Sequence, residues 1–213
     1  RGPNALKRAH AEARDLGYIP EEHYLDSREL NSIQQRKRLY CIYVSSPTFT
    51  RVGHVALPQK PEITCTVRSA MSTMVKDRPA SSLTKLSNFS PFTKQHPRRT
   101  STGLQLLFVG HDPTERNTKV HSTEGASVAL TCPFSDGTTD NHPAGRYAMG
   151  DYAVSPSFDE VIQFGGYNRS MMADIARHHG GYEAMRLMGQ SMDIPTLRHI
   201  AAGVRALIEE DDR

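Results

Sequence analysis

The sequence predicts an irregular α+β protein: a helical N-terminal segment, a proline-rich extended middle with short strands, and a small C-terminal helical bundle. Three observations carry that expectation. Helix-period apolar spacing is confined to the two ends of the chain. Nine prolines punctuate residues 45–145, at 47, 58, 61, 79, 91, 97, 113, 133 and 143, so no long helix can form there. Core material is thin, with 37% hydrophobic residues, 7% aromatics and no Trp in 213 residues. That composition is lean for one large core but too apolar for outright disorder.

The expected domains are 1–44, 45–145 and 146–213. In the first, Leu6, Ala9, Ala13 and Leu16 form one helical stripe that Gly17 ends. Asp26 and Glu29 have the spacing of a capping box, ahead of a second helix carrying Leu30, Ile33 and Gln34 inward. Leu39 to Val44 exchanges helix formers for β-branched and aromatic residues and reads as a strand closed by Ser45-Ser46-Pro47.

In the middle segment Ser, Thr, Pro and Gly fill 42 of 101 positions, which makes it turn and loop material. Short strands are expected at 52–57, 63–67, 104–109 and 127–132. Residues 78–102 have no periodicity, and a loop of that length suggests a segment lying on a partner.

The C-terminal segment is the best specified. Ser157 and Glu160 form a capping box before Val161, Ile162 and Phe164. Met171, Met172 and Ile175 line the next helix, which Gly180-Gly181 stops. Ala184, Leu187 and Met188 line a third. Asp193 caps a last helix with Pro195 in its first turn and a stripe of Leu197, Ile200, Val204, Leu207 and Ile208.

Function is read mostly by exclusion. The longest apolar run, Leu106 to Val109, is far too short to span a bilayer. The chain opens Arg1-Gly2-Pro3 without an initiator Met, which fits a processed product; with Cys41, Cys65 and Cys132 unpaired by spacing, a mitochondrial or other reducing compartment is expected. Ten His and three Cys show no CxxC or HxxxH pair, so no metal and no cofactor are expected. There is no GxSxG elbow and no phosphate-cradling loop, so no catalytic residue is assigned.

Charge is uneven: the three segments carry +2, +4 and −3. Arg outnumbers Lys by 19 to 7, and guanidinium groups suit phosphate contacts. Arg36, Lys37, Arg38, Arg98 and Arg99 are the candidate RNA-binding residues.

One stretch points elsewhere. Leu106-Leu107-Phe108-Val109-Gly110-His111-Asp112-Pro113 is an apolar strand delivering Gly and polar groups at its carboxyl end. It resembles the first motif of the uracil-DNA glycosylase superfamily. That resemblance implies Asp112 for handling the attacking water and His111 for polarising it. It covers eight residues and no second motif follows, so a buried strand entering a turn is the preferred account.

The function expected from these observations is a non-catalytic accessory or structural subunit of a larger multi-protein complex, held by protein–protein interaction. The alternatives are an RNA-contacting subunit of an organellar ribosome, and a Rossmann-like hydrolase or glycosylase-type enzyme around residues 104–113.

Overall fold

In a computed structural model, residues 3–71, 73–91, 105–109, 119–130 and 144–213 are described. They build two sheets. The first is a hairpin of two nine-residue strands, β1 (Tyr18–Asp26) and β2 (Lys37–Ser45), paired antiparallel from Tyr18↔Ser45 to Asp26↔Lys37. The second is a curled, mixed, six-stranded sheet of β3 (Leu83–Lys85), β4 (Ser90–Pro91), β5 (Leu106–Val109), β6 (Lys119–His121), β7 (Arg146–Met149) and β8 (Tyr152–Val154). Its order is β3-β8-β7-β6-β5-β4, and β6–β7 is the parallel pair.

This sheet corrects the expected fold class. The segment read as a proline-rich extended middle supplies four of the six strands and part of the main core. Its strands are two to four residues long, too short to show a period of two. One of them finds its partner far along the chain, Leu83↔Val154. Prolines sit where the pairing tolerates them: Pro91 ends the two-residue edge strand β4. The stretches expected as strands at 52–57 and 63–67 are not strands, and Ser127 contributes only a bridge to Gln34.

Helix α1 (Pro3–Asp15) ends where Gly17 takes φ 83°, as its sequence implies. Its buried contact, however, is His10, while Leu16 stays 77% exposed. The expected second helix is a single 3-10 turn, Ser27–Leu30. Asp26 caps it by accepting from the Arg28 amide at 3.1 Å, and Asn31 stops it at φ 60°. Ser45 caps α2 (Ser46–Val52), with Pro47 in its first turn. A short helix α3 (Val67–Ala70) is closed by a capping box between Thr66 and Ser69.

The C-terminal helices are α4 (Phe158–Phe164), α5 (Arg169–His179), α6 (Gly181–Gln190) and α7 (Ile194–Asp211). Two of their caps are those the sequence announces, Ser157 with Glu160 and Asp193 with Pro195, and Asn168 caps α5 by accepting from the Met171 amide. They do not form an independent bundle, which is the second correction. Val161, Ile162, Phe164, Met172, Ala184 and Met188 of α4–α6 pack with Val67, Ala70, Met71, Tyr147 and Val154 in one core. Helix α7 leaves them for the hairpin, where Leu207 and Val204 meet Val44, Ile42, Val55 and Leu57 in a second, smaller core.

Two contacts hold these parts in place. Gly203 lets α7 approach the backbone of 56–57 so closely that an added Cβ would lie 2.9 Å from Leu57 Cδ2 and 3.1 Å from the Ala56 carbonyl. Arg78 and Glu160, 2% and 3% exposed, form a two-armed ion pair at 3.0 and 2.5 Å that ties the 75–77 turn to α4.

Candidate functional site

The two sheets meet at the ten residues that join β1 to β2. This connection is long for a hairpin and almost every residue in it is committed. Arg28 is buried and donates to the Ser32 and Cys65 carbonyls at 3.0 and 2.6 Å. The Asn31 side chain accepts from the Thr64 and Cys65 amides, at 3.0 and 3.2 Å. Ser32 donates to the Phe164 carbonyl. Gln34 is fully buried and accepts from the Leu130 amide at 2.8 Å, while Ile33 and Gln35 exchange backbone hydrogen bonds with Ser127. The belt therefore clasps residues 64–65, 127–130 and 164, all belonging to the other half of the molecule.

A half-open cavity of about 310 Å³ is lined by Met71, Met74, Val75, Ala148 and Met149, with Arg68 and Thr123 as its polar side. Gly150 closes its rim in the two-residue turn between β7 and β8; its φ of 56° is what such a tight turn requires. Arg68 is paired with Glu124, and the pair is exposed. Three unbranched thioether side chains make the lining adaptable in shape.

Below the belt, β2 meets the links before α5 and α7. Tyr167 donates its hydroxyl to the Met188 and Met192 carbonyls and shares a hydrogen bond with Ser191. Asp193, fully buried, caps α7 through the Thr196 amide and hydroxyl. Burial holds its carboxyl above the usual range, against the opposing hydrogen bonds of Thr196. Burial likewise raises the Tyr40 and Tyr167 phenols.

Of the candidate RNA-binding residues, Arg36 has both arms engaged, donating to the Ser191 and Gly189 carbonyls at the end of α6, 3.0 and 2.8 Å away. Lys37 is exposed, with its ammonium 3.9 Å from Asp26. Arg38 is half-buried beside Tyr40, Tyr167 and Asp193. Arg98 and Arg99 lie outside the described residues, as do His111 and Asp112. The strand that leads to the latter pair, β5, runs antiparallel to both its neighbours, unlike a central strand of a doubly wound sheet.

The sequence singles out neither Arg28 nor Asn31, and it places Gln34 on the inward face of a helix where the structure has only the turn Ser27–Leu30. An Asn directly after Leu30 is a stop signal for such a turn. Neither cysteine in the described residues is set up as a nucleophile. Burial pushes both thiols up, aided at Cys41 by Glu22 and only partly offset at Cys65 by Arg28. Among the described residues no group of three His, Cys, Asp or Glu gathers to hold a metal ion, and no helix is long and apolar enough to cross a membrane.

No family model matches the sequence, and no curated protein matches it. Solved structures do match its fold. The Dnmt2 methyltransferase of S. pombe superposes with a TM-score of 0.55 at 13% identity, over 96% of this chain and 62% of that one. The methyltransferase EhMeth of Entamoeba histolytica superposes with a TM-score of 0.62 at 9% identity, over 98% of this chain and 58% of that one. The chain spans about 60% of the length of the solved structures it matches. Similarity running through nearly the whole chain overturns both the expected non-catalytic structural subunit and the extended-loop architecture on which it rested. The fold is one that two methyltransferases share.

Proposed function

We propose that the chain is the larger part of a methyltransferase, supplying the surface that grips the acceptor. One observation carries this reading: both solved methyltransferases share the fold over nearly all of this chain, 96% and 98% of it. The charge supports a polyanionic acceptor, a nucleic acid. Residues 45–145, which supply most of the six-stranded sheet, carry 11 basic and 7 acidic side chains, and such an excess favours phosphate.

The usual biological methyl donor is a sulfonium cation attached to a nucleoside. The Met-lined cavity does not fit it. Its one charged lining residue, Arg68, is spent in an exposed ion pair with Glu124, and no carboxylate lines it to meet a cation. No donor-dependent step is therefore assigned to these residues. What the chain's own groups do is position: the belt fixes the two sheets against each other, and Lys37 begins β2 as an exposed cation at its end.

The test is methyl transfer by the native assembly, isolated through a tag on this chain. With tritiated S-adenosylmethionine, label is expected in nucleic acid and not in protein. Lys37→Glu should weaken acceptor binding by about threefold or more at low salt, the loss of one phosphate contact. An assembly that neither binds the donor nor labels any acceptor contradicts the proposal.

A further inference from the structure

The Met-lined cavity exists because one strand stops short. Strand β6 ends at His121, opposite Tyr147 of β7, so Ala148 and Met149 run on past their parallel neighbour. Met71, Met74 and Val75, which follow α3, complete the apolar lining. Met71 is buried in the main core, and Val75 and Met149 pack against that core. Met74 is 56% exposed. The lining is therefore anchored in the filled half of the molecule on one side and adjustable on the other.

Two backbone bonds build the polar side. The Val67 amide donates to the Gly125 carbonyl at 3.0 Å, and the Arg68 amide to the Thr123 carbonyl at 2.8 Å. They strap the start of α3 to the chain beyond β6 and hold Arg68 beside Thr123. Thr123 is 5% exposed, and its hydroxyl has no hydrogen-bond partner among the described residues. A buried hydroxyl in that position costs stability until a ligand or a water meets it. Arg68's ion pair with Glu124 is exposed at both ends, and such pairs contribute little. The guanidinium can therefore change partners at small cost. No carboxylate stands among the described lining residues, so the cavity offers donors to an anion and no counter-charge to a cation.

We infer that this cavity binds a small aromatic carboxylate, with its ring against Met71, Met74 and Met149 and its carboxylate on Arg68 and the Thr123 hydroxyl. Thioether sulfur makes favourable contacts with aromatic rings. A planar guanidinium grips a carboxylate through two parallel hydrogen bonds. A volume of about 310 Å³ is at the small end of ligand cavities, room for a bicyclic ring and a short acid arm. A nucleotide polyphosphate would ask for more cations than Arg68 supplies. Such a site is separate from methyl transfer and does not depend on it.

The experiment titrates the whole chain, isotopically labelled at its methionine methyl groups, with probes that share one ring: indole-3-acetate, indole-3-methanol and tryptamine. Indole-3-acetate should bind with a Kd below about 1 mM. It should shift the methyl signals of Met71, Met74 and Met149 and leave those of Met171 and Met192 in place. Indole-3-methanol should bind at least about tenfold more weakly, having lost the charge-assisted pair, and tryptamine more weakly still. Arg68→Gln should erase the preference for the acid while melting within about 2 °C of the wild type, because the side chain is exposed. Thr123→Val, which keeps the shape, should weaken the acid about threefold or more. Glu124→Gln, which releases Arg68, should tighten it. Equal binding of the probes, a preference for tryptamine, no binding of the acid at millimolar concentration, or an Arg68→Gln variant that keeps the preference overturns the inference. So do methyl shifts confined to methionines outside the cavity.

Discussion

The six-stranded sheet and the two-stranded hairpin differ in how they are closed. The larger sheet is short-stranded and irregular, yet its interior is full. Tyr147, Phe164, Ile162 and Met188 are each at most 1% exposed, and Tyr147 satisfies its hydroxyl on the Ala144 carbonyl and the Val128 amide. The hairpin has the longer and more regular strands, but among the described residues its core cluster buries three, Val44, Val55 and Leu207. Regular pairing is therefore a poor guide to where stability lies. A two-stranded sheet is marginal alone, and this one is held by α7, α2 and the belt.

The largest expected effect breaks the filled side. Arg78→Met leaves Glu160 buried without its partner, at a cost of about 3–5 kcal/mol in urea unfolding. Arg78→Met combined with Glu160→Met should recover much of that loss, since two apolar groups replace two desolvated charges. A single substitution costing under about 1 kcal/mol would mean that the pair is wet.

Next comes the contact that holds the hairpin. Gly203→Val forces a side chain against Leu57 and the Ala56 carbonyl, costing about 1–3 kcal/mol. Amide exchange should quicken in β1 and β2 and stay unchanged in β7, which separates the two halves energetically. Equal quickening in both would show a single cooperative unit.

Smaller still is the effect of Tyr24→Glu on the isolated chain, within about 0.5 kcal/mol because the ring is exposed. A larger destabilisation would show that this face is already covered.

The smallest is a pH effect at the junction. Asp193's carboxyl is held above its ordinary value by burial. An acid raised in the folded chain adds stability below its unfolded pKa and loses it as pH rises through the folded pKa. Asp193→Asn keeps an acceptor for the Thr196 amide and has no such proton. The wild type should therefore gain on the variant as pH falls from neutral to about 4. A gain in the opposite direction would place Asp193 in a charge-stabilising site.

What was legible in the sequence follows the range of each interaction. Caps are local, so Ser157 with Glu160, Asp193 with Pro195, and the stop at Gly17 were readable from neighbours a few residues away. Strand β1 was not, because Pro20, Glu21, Glu22 and His23 are poor strand formers, held in place here by pairing with β2 and by contacts such as the Val55 amide on Glu21. The six-stranded sheet was hidden for a different reason: strands of two to four residues have no period, and β3 finds its partner only at Val154. Arg36 looked like part of a phosphate-binding cluster because the carbonyls it caps, at Gly189 and Ser191, are more than 150 positions away. The belt was misread as a helix because Asp26 and Glu29 have capping spacing, and only the tertiary contacts of Arg28 and Gln34 decide otherwise.

The most direct test of this difference is hydrogen exchange at the backbone amides of the isolated chain. The amides of β2, Lys37–Ser45, should exchange at least about a hundredfold faster than those of β7, Arg146–Met149, which lie over the filled core. Equal protection of the two strands would contradict the account, because it would mean that the hairpin is closed as firmly as the larger sheet.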